Sequence, residues 1–167
     1  MKLRIMRWSR FLSIGVMIVL VMLIILLTSG ITETEDPVSG YEIVIDRLME
    51  QTAGMTNGVE YLAIDTTQIT NLNADEKFNL LKRMQKCNLI VIDSTRSDLE
   101  ANGMIQNLYF PKGLLIIIET HRANRNTMIM DAQIWRGGAA GFGIKGLKLA
   151  YVEGQWQLGD SSGVFIA

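Results

Sequence analysis

The chain has 167 residues, of which 49% are hydrophobic, with one cysteine and a formal net charge of −1. From residue 30 onward it holds all 17 acidic residues and 12 basic ones, a net charge of −5. This acidic balance excludes nucleic acid as a partner, because nucleic-acid binding requires clustered Lys and Arg. A single cysteine excludes an internal disulfide, and export without disulfides favours a Gram-positive bacterial origin.

Residues 11–28 form an apolar run without charge or proline, which predicts a single transmembrane helix. Four basic residues precede it, and no Lys or Arg follows until Arg47, so residues 1–10 are predicted to be a cytoplasmic basic tail. The rest of the chain is then extracellular. The alternative is a cleaved signal peptide followed by secretion, since small residues at 28–30 offer a cleavage site. No cysteine stands at this point to carry a lipid.

Residues 29–38 are polar and contain Pro37, which predicts a tether between the membrane and a domain over 39–167. Ser39 and Glu42 match a capping box at the start of a helix that ends near Gly54. The apolar face of this helix is formed by residues at helical spacing, namely Tyr41, Val44, Ile45 and Leu48.

A strand–helix–strand pattern follows. Residues 60–65 and 89–92 are predicted strands, and between them Asn73 and Glu76 form a second capping box that opens a helix through Lys86. This order predicts a parallel β-α-β unit with two buried strands. Ser97 and Glu100 predict the start of a further short helix.

After Gly113 the pattern predicts antiparallel strands at 114–120, 127–135, 147–151, 155–158 and 164–166. A turn at 123–126 joins the first two, and Met128, Met130, Ala132 and Ile134 share one face of the second. A glycine-rich loop is predicted at 137–143. The fold class is therefore α+β, with an N-terminal transmembrane helix and helices packed on one face of a curved, mostly antiparallel sheet.

Residues 141–146 match the dinucleotide-binding pattern G-x-G-x-x-G, but predicted strands flank the pattern on both sides. Nucleotide phosphates need a helix N-terminus after such a loop. Nucleotide binding is therefore excluded and no cofactor is predicted. We expect these glycines to permit a bend, a bulge or close backbone approach within a sheet.

The wider glycine-rich stretch would expose backbone against which a partner could lie, or it is a flexible connection between strands. The candidate partner-binding residues are Trp135, Arg136, Gly137, Gly138, Gly141 and Gly143.

No catalytic or metal-binding set emerges from the sequence. His121 is the only histidine, and no cluster of Cys or His accompanies it. Cys87 lies on the apolar stripe of its helix and is expected to act as a small hydrophobe. Asp65, Asp93 and Asp131 stand on or at the ends of predicted strands, where they could converge for acid–base work or simply terminate the strands.

The order of several segments resembles an uncharacterised family of small membrane-anchored exported proteins of Bacillus- and Clostridium-type bacteria. The resemblance covers residues 59–167 and rests on YLAIDT at 61–66, VID at 91–93, the strand at 113–118, IWR at 134–136 and GQWQL at 154–158. The final residues, VFIA, depart slightly from the aromatic-Ile-Ser ending of close homologues. The resemblance implies a cone-shaped fold similar to that of nuclear transport factor two. It implies no reaction and no active-site residues.

The sequence therefore predicts a membrane-tethered extracellular domain that acts as a non-enzymatic binding or accessory module at the cell envelope. Its partner would be an envelope protein or a peptidoglycan component. Two alternatives remain open: an envelope-associated hydrolase that uses carboxylates or His121, and a subunit of a membrane transport or sensory complex. The hydrolase hypothesis requires a concave pocket in which Asp65, Asp93, Asp131 or His121 meet.

Overall fold

The computed structural model describes residues 36–138 and 140–166, which form an α+β domain with a curled, mixed β-sheet. The predicted basic tail, the predicted transmembrane helix at 11–28 and tether residues 29–35 lie outside the described residues. Within the described ranges, no helix is both long and apolar enough to span a bilayer.

Three α-helices and seven strands follow one another within the described residues. In order they are α1 (Pro37–Gln51), β1 (Tyr61–Asp65), α2 (Ala74–Met84), β2 (Ile90–Asp93), α3 (Arg96–Ala101), β3 (Gly113–Asn124), β4 (Thr127–Gly137), β5 (Ala140–Val152), β6 (Gln155–Leu158) and β7 (Gly163–Ile166). Short 3₁₀ turns follow α1 and α2, at Ala53–Met55 and Gln85–Cys87.

The strands form one sheet in the order β2-β1-β3-β4-β5-β6, with β7 also paired to β5. β1 is parallel to both β2 and β3, which confirms the predicted parallel unit. The pairings from β3 to β7 are antiparallel. β6 pairs with the second half of β5 and β7 with the first half, so both lie along one edge of this long strand.

The first face of the sheet is the one covered by α1 and α2. It carries the predicted row from Met128 to Ile134, together with the alternate residues of β1 and β3, and all of these pack on the apolar stripe of α1. Tyr41 is fully buried there. Its hydroxyl bonds to Asn71 and lies 2.7 Å from Thr120 Oγ1, so the polar end of this side chain is satisfied in the core.

Helix α1 begins earlier than the sequence predicts. Its N-cap is Asp36, whose carboxylate accepts from the Val38 N–H at 3.1 Å, whereas Ser39 donates its hydroxyl proton to the Asp36 carbonyl. Pro37 then occupies the first helical turn, where its missing N–H costs nothing. Val38 is buried in the core, so residues 36–38 of the predicted tether belong to the folded domain.

Helix α2 has the predicted cap: Asn73 accepts from the Glu76 N–H, and Glu76 accepts from the Asn73 N–H. Basic residues at its C-terminal end and in the 3₁₀ turn that follows pair with acidic residues of α1. Lys86 Nζ lies 2.5 Å from Glu42 and 2.8 Å from Asp46. These exposed pairs set the register of two helices, although each contributes little to stability.

Helix α3 lies on the second face of the sheet, opposite α1 and α2, which corrects the prediction that the helices share one face. Its Leu99 is fully buried with Ala63 and Leu115, whose neighbours in each strand point to the first face. The helix is capped by Thr95 and Asp98 rather than by Ser97 and Glu100. Strand β2 is an edge strand, with Ile90 56% exposed, so the predicted burial of both parallel strands holds only for β1.

Three register shifts curve the antiparallel half. The extra residue is His121 in the β3–β4 pairing, Arg136 at the end of β4, and one residue of Lys145-Gly146 in β5. The predicted glycine-rich loop at 137–143 is wrong, because most of that stretch belongs to the β4–β5 hairpin. The turn of the β3–β4 hairpin is confined to residues 125 and 126.

Candidate functional site

A groove of about 480 Å³ lies on the second face of the sheet, beyond the part that α3 covers. Its lining residues in the described part of the chain come from four neighbouring strands and are Ile117, Glu119, Asp131, Ala132, Gln133, Lys145 and Phe165. We call this the second-face groove. Volumes of this order are typical of small-molecule sites.

Strand register arranges the lining in two rows. The first runs Asp65–Ile117–Gln133–Gly143–Phe165 across five strands. In the second row Glu119 stands directly opposite Asp131, which faces the bulge of β5. The preceding row, which includes Ala63, Leu115 and Trp135, is apolar and packs beneath α3. The groove therefore begins where the second face changes from apolar to polar.

His121 closes the acidic end of the groove. Its Nε2 lies 3.1 Å from Asp131 Oδ1 and its Nδ1 lies 3.8 Å from Glu119 Oε1. His121 lies two residues after Glu119, so the ordinary alternation of a β-strand places both side chains on the same face. The register shift of β3 occurs at His121.

Asp131 is held in its ionised form. Partial burial acts to raise the pKa of its carboxyl, but a 2.7 Å hydrogen bond from the Gly146 N–H and the nearby His121 and Lys145 outweigh that effect. The net result is a pKa below the ordinary 3.8. Asp131 is therefore suited to be a fixed negative charge and unsuited to be a proton donor near neutral pH.

Lys145 and Phe165 form the opposite end of the groove. The Lys145 ammonium lies 5.6 Å from the centroid of the Phe165 ring. That ring lies over Gly143, where any Cβ would overlap it. Gly143 thus provides the close approach that the sequence predicts for these glycines, and Gly146 provides the bulge, with φ of +57°.

Arg136 is used within the fold. Its guanidinium donates to the carbonyls of Met55, Asn57 (3.0 Å) and Pro111 (2.9 Å), and so fastens two loops to the end of β4. Its Nε is buried without a hydrogen-bond partner among the described residues. The ring of Trp135 is also in contact with the protein itself, because the Arg96 guanidinium lies 4.5 Å above it.

The four candidate glycines are also largely covered by the protein itself. Tyr109 lies over Gly137, where a Cβ would overlap its ring, and Gly141 is buried opposite Trp135. Gly143 lies under Phe165. Only Gly138 is exposed among the six candidate partner-binding residues. This stretch supports the floor and end of the groove rather than presenting bare backbone.

The structure places Asp65 and Asp93 at the ends of the neighbouring strands β1 and β2, and Asp131 apart from them in the groove. Asp93 accepts hydrogen bonds from Thr66, and Asp65 accepts from Thr67, so both fix the loop after β1. Only Asp131 meets His121. No group of three His, Cys, Asp or Glu side chains in the described ranges is arranged to hold a metal ion.

Cys87 lies in the 3₁₀ turn after α2 and packs against the first-face core. Partial burial raises the pKa of its thiol, with a further contribution from nearby Asp46. A raised pKa leaves less of the nucleophilic thiolate. This agrees with the expected structural role.

A second cavity of about 420 Å³ lies near α3, between Tyr61 and the 103–112 segment. Lys112, the one charged residue among the described lining residues, already pairs with Glu60 at 3.0 Å. The second-face groove is lined by acidic, basic, amide and aromatic side chains, so it is the better candidate for a ligand site.

Sequence reasoning did not select Ile117, Glu119, Gln133, Lys145 or Phe165 as site residues. One signal was present, since Asp131 and Gln133 alternate with the apolar row of β4. The unbroken apolar run of β3 gave no such signal. Which residues stand opposite each other depends on register and bulges that no local pattern specifies.

Comparison of the chain with protein-family models, curated proteins and solved structures found no match. The family resemblance drawn from the sequence remains a prediction. The groove must therefore be interpreted from its own chemistry.

Proposed function

We propose that this protein is a single-pass, membrane-anchored extracellular binding module of a Gram-positive cell envelope, and that the second-face groove is its ligand site. The observation that carries the proposal is the groove itself: an open, half-polar depression built on four rigid strands. The sequence supports the location through the apolar run at 11–28 and the basic residues before it. An envelope protein or a peptidoglycan component would be the partner.

Binding fits the groove better than catalysis does. The pKa of Asp131 is moved down, away from neutral pH, and Glu119 is 59% exposed. A general acid needs the opposite, a carboxyl whose pKa is raised by burial. Both ring nitrogens of His121 face carboxylates, and no hydroxyl or thiol group is among the described lining residues.

Location is tested by protease treatment of intact Gram-positive cells that express the full chain. We expect the domain to be cut from whole cells while a cytoplasmic marker stays intact. Protection of the domain until the cells are lysed would contradict the proposed topology. Recovery of intact domain from the medium would support the alternative of a cleaved signal peptide.

Use of the groove is tested by retention of the full chain on isolated cell envelopes. A Gln133→Trp variant fills the groove, and Gln51→Trp places the same side chain at the exposed end of α1. We expect retention to fall at least about tenfold, or 1.4 kcal/mol, for the first variant only. Equal retention of both variants would reject the groove as the site.

The contact between His121 and Asp131 favours envelope hydrolysis as a second candidate. This function predicts that the wild-type chain releases soluble fragments from cell-wall material and that His121→Ala does not. If only the wild-type chain releases soluble fragments, hydrolysis would be the function in place of binding. The absence of release by either chain would exclude the second candidate.

A further inference from the structure

The acidic end of the second-face groove breaks a packing rule of β-sheets. Glu119 and Asp131 stand directly opposite each other on β3 and β4, with both side chains on the groove face. Like charges at such positions destabilise a sheet. His121 contacts both carboxylates, but one imidazolium can neutralise only one of them. This end stays negative, and local rules are broken most often at functional sites.

The β5 side of the groove carries a cation. Among the residues that the structure describes, no ion pair within 4 Å joins Lys145 to a carboxylate, although Asp131 on the neighbouring strand is close enough to sense its charge. The Phe165 ring, fixed over Gly143, holds this ammonium beside the groove. An aromatic face stabilises a cation while leaving its hydrogen-bond donors free for an anion.

The floor between the two ends suits a peptide. Ile117 offers an apolar surface, and the Gln133 amide can donate to a carbonyl and accept from an N–H. Two strand spacings, about 10 Å, separate β3 from β5. An extended dipeptide spans about 7 Å. The side chains of Glu119 and Lys145 extend from their strands and can close the remaining distance to its two charged ends.

We infer that the second-face groove takes a short zwitterionic peptide, with its ammonium against Glu119 and its carboxylate against Lys145. This inference rests on the proposed use of the groove as a ligand site and narrows it to one chemical class. Recognition of both charged ends separates such a peptide from the neutral sugars and anionic polymers of an envelope.

Calorimetric titration of the full chain with the dipeptide Leu-Ala tests the inference, alongside N-acetyl-Leu-Ala and Leu-Ala amide. These two derivatives remove the ammonium and the carboxylate, respectively. We expect each to bind at least about tenfold more weakly than Leu-Ala. Equal binding of all three peptides, or no saturable binding of Leu-Ala, would overturn the inference.

Charge-neutralising variants assign the two ends. Glu119→Gln should weaken Leu-Ala but leave the residual binding of N-acetyl-Leu-Ala unchanged, and Lys145→Gln should leave that of Leu-Ala amide unchanged. Glu153→Gln and Lys148→Gln, at exposed positions outside the groove lining, are the matched controls. Thermal unfolding shows whether each variant is folded. Suppose that Leu-Ala does not bind, but that Gln133→Trp still reduces retention of the chain on cell envelopes. The inference of a zwitterionic peptide ligand is then wrong, and the proposal that the groove is a ligand site stands.

Discussion

The Asp131 carboxylate accepts a 2.7 Å hydrogen bond from the backbone N–H of Gly146, across the bulge where β5 gains a residue. Gly146 has a φ of +57°, and a Cβ there would crowd the Ser162 hydroxyl. The bulge and the charge of Asp131 therefore depend on each other. One backbone donor both closes the bulge and stabilises the carboxylate in the groove.

Gly146→Ala should destabilise the protein by about 1–2 kcal/mol, because alanine in the left-handed region places its Cβ against the backbone. Urea unfolding of the full chain measures the change. Gly54→Ala is the control, since that position has open space around it and no positive φ. It should not lose stability. Equal effects of the two substitutions would show that the strain at Gly146 is unimportant.

Acid should remove the stabilisation that Asp131 provides. Its pKa in the folded state lies below the ordinary 3.8, so its contribution is fully present above that value and is lost as pH falls through the folded pKa. The stability advantage of the wild type over Asp131→Asn should shrink as the pH falls through the folded pKa of Asp131, which lies below the ordinary 3.8. Urea unfolding across this range checks the sign. An advantage that grows on acidification would contradict it.

Arg136→Met should cost about 3 kcal/mol, because it leaves the carbonyls of Met55, Asn57 and Pro111 without their charged donor. Arg136→Lys should recover only part of this loss, since an ammonium cannot reproduce the planar fork. Arg47→Met is the control, because Arg47 makes only an exposed 3.6 Å pair with Glu50. Thermal or urea unfolding separates the three variants. Full recovery by lysine would refute the role of the fork.

Leu108→Gly should stabilise the protein by about 1 kcal/mol. Leu108 has a φ of +59°, in a two-residue turn whose flanking residues, Gln106 and Tyr109, exchange backbone hydrogen bonds. The substitution creates an Asn-Gly turn, the preferred sequence for this geometry. The side chain is 63% exposed, so little apolar burial is lost.

The control for this gain is Leu158→Gly, in strand β6, where φ is not positive. That substitution should reduce the melting temperature, because glycine is unfavourable in a strand and lacks the side chain of Leu158. A loss of stability in both variants would show that Leu108 contributes through contacts rather than through strain.

Local patterns predicted the elements that local physics controls. The apolar face of α1, the Asn73–Glu76 cap and the buried row of β4 follow from spacing alone, and the structure confirms each of them. The start of α3 shows where such patterns are ambiguous. Thr95–Asp98 and Ser97–Glu100 both resemble a cap, and the choice depends on burial of Leu99 beneath the sheet.

The groove could not be predicted in the same way, because it depends on strand register and on three bulges. The bulge of β5 places the Gly146 N–H against the Asp131 carboxylate, and the bulges at His121 and Arg136 change which residues of neighbouring strands stand opposite each other. Glycine at 146 hinted at one bulge. Nothing in the sequence around His121 or Arg136 marks the other two.

The Trp156 indole N–H donates to the carbonyl of Asp36 at 3.0 Å, which joins the cap of α1 to strand β6 near the other end of the chain. If the domain is pulled through the residues before Asp36, the load first meets this bond and the buried Val38. Mechanical force would therefore be shared at once between the first helix and the last hairpin. Such a load would be opposed by the packing of both α1 and β6 rather than by that of α1 alone.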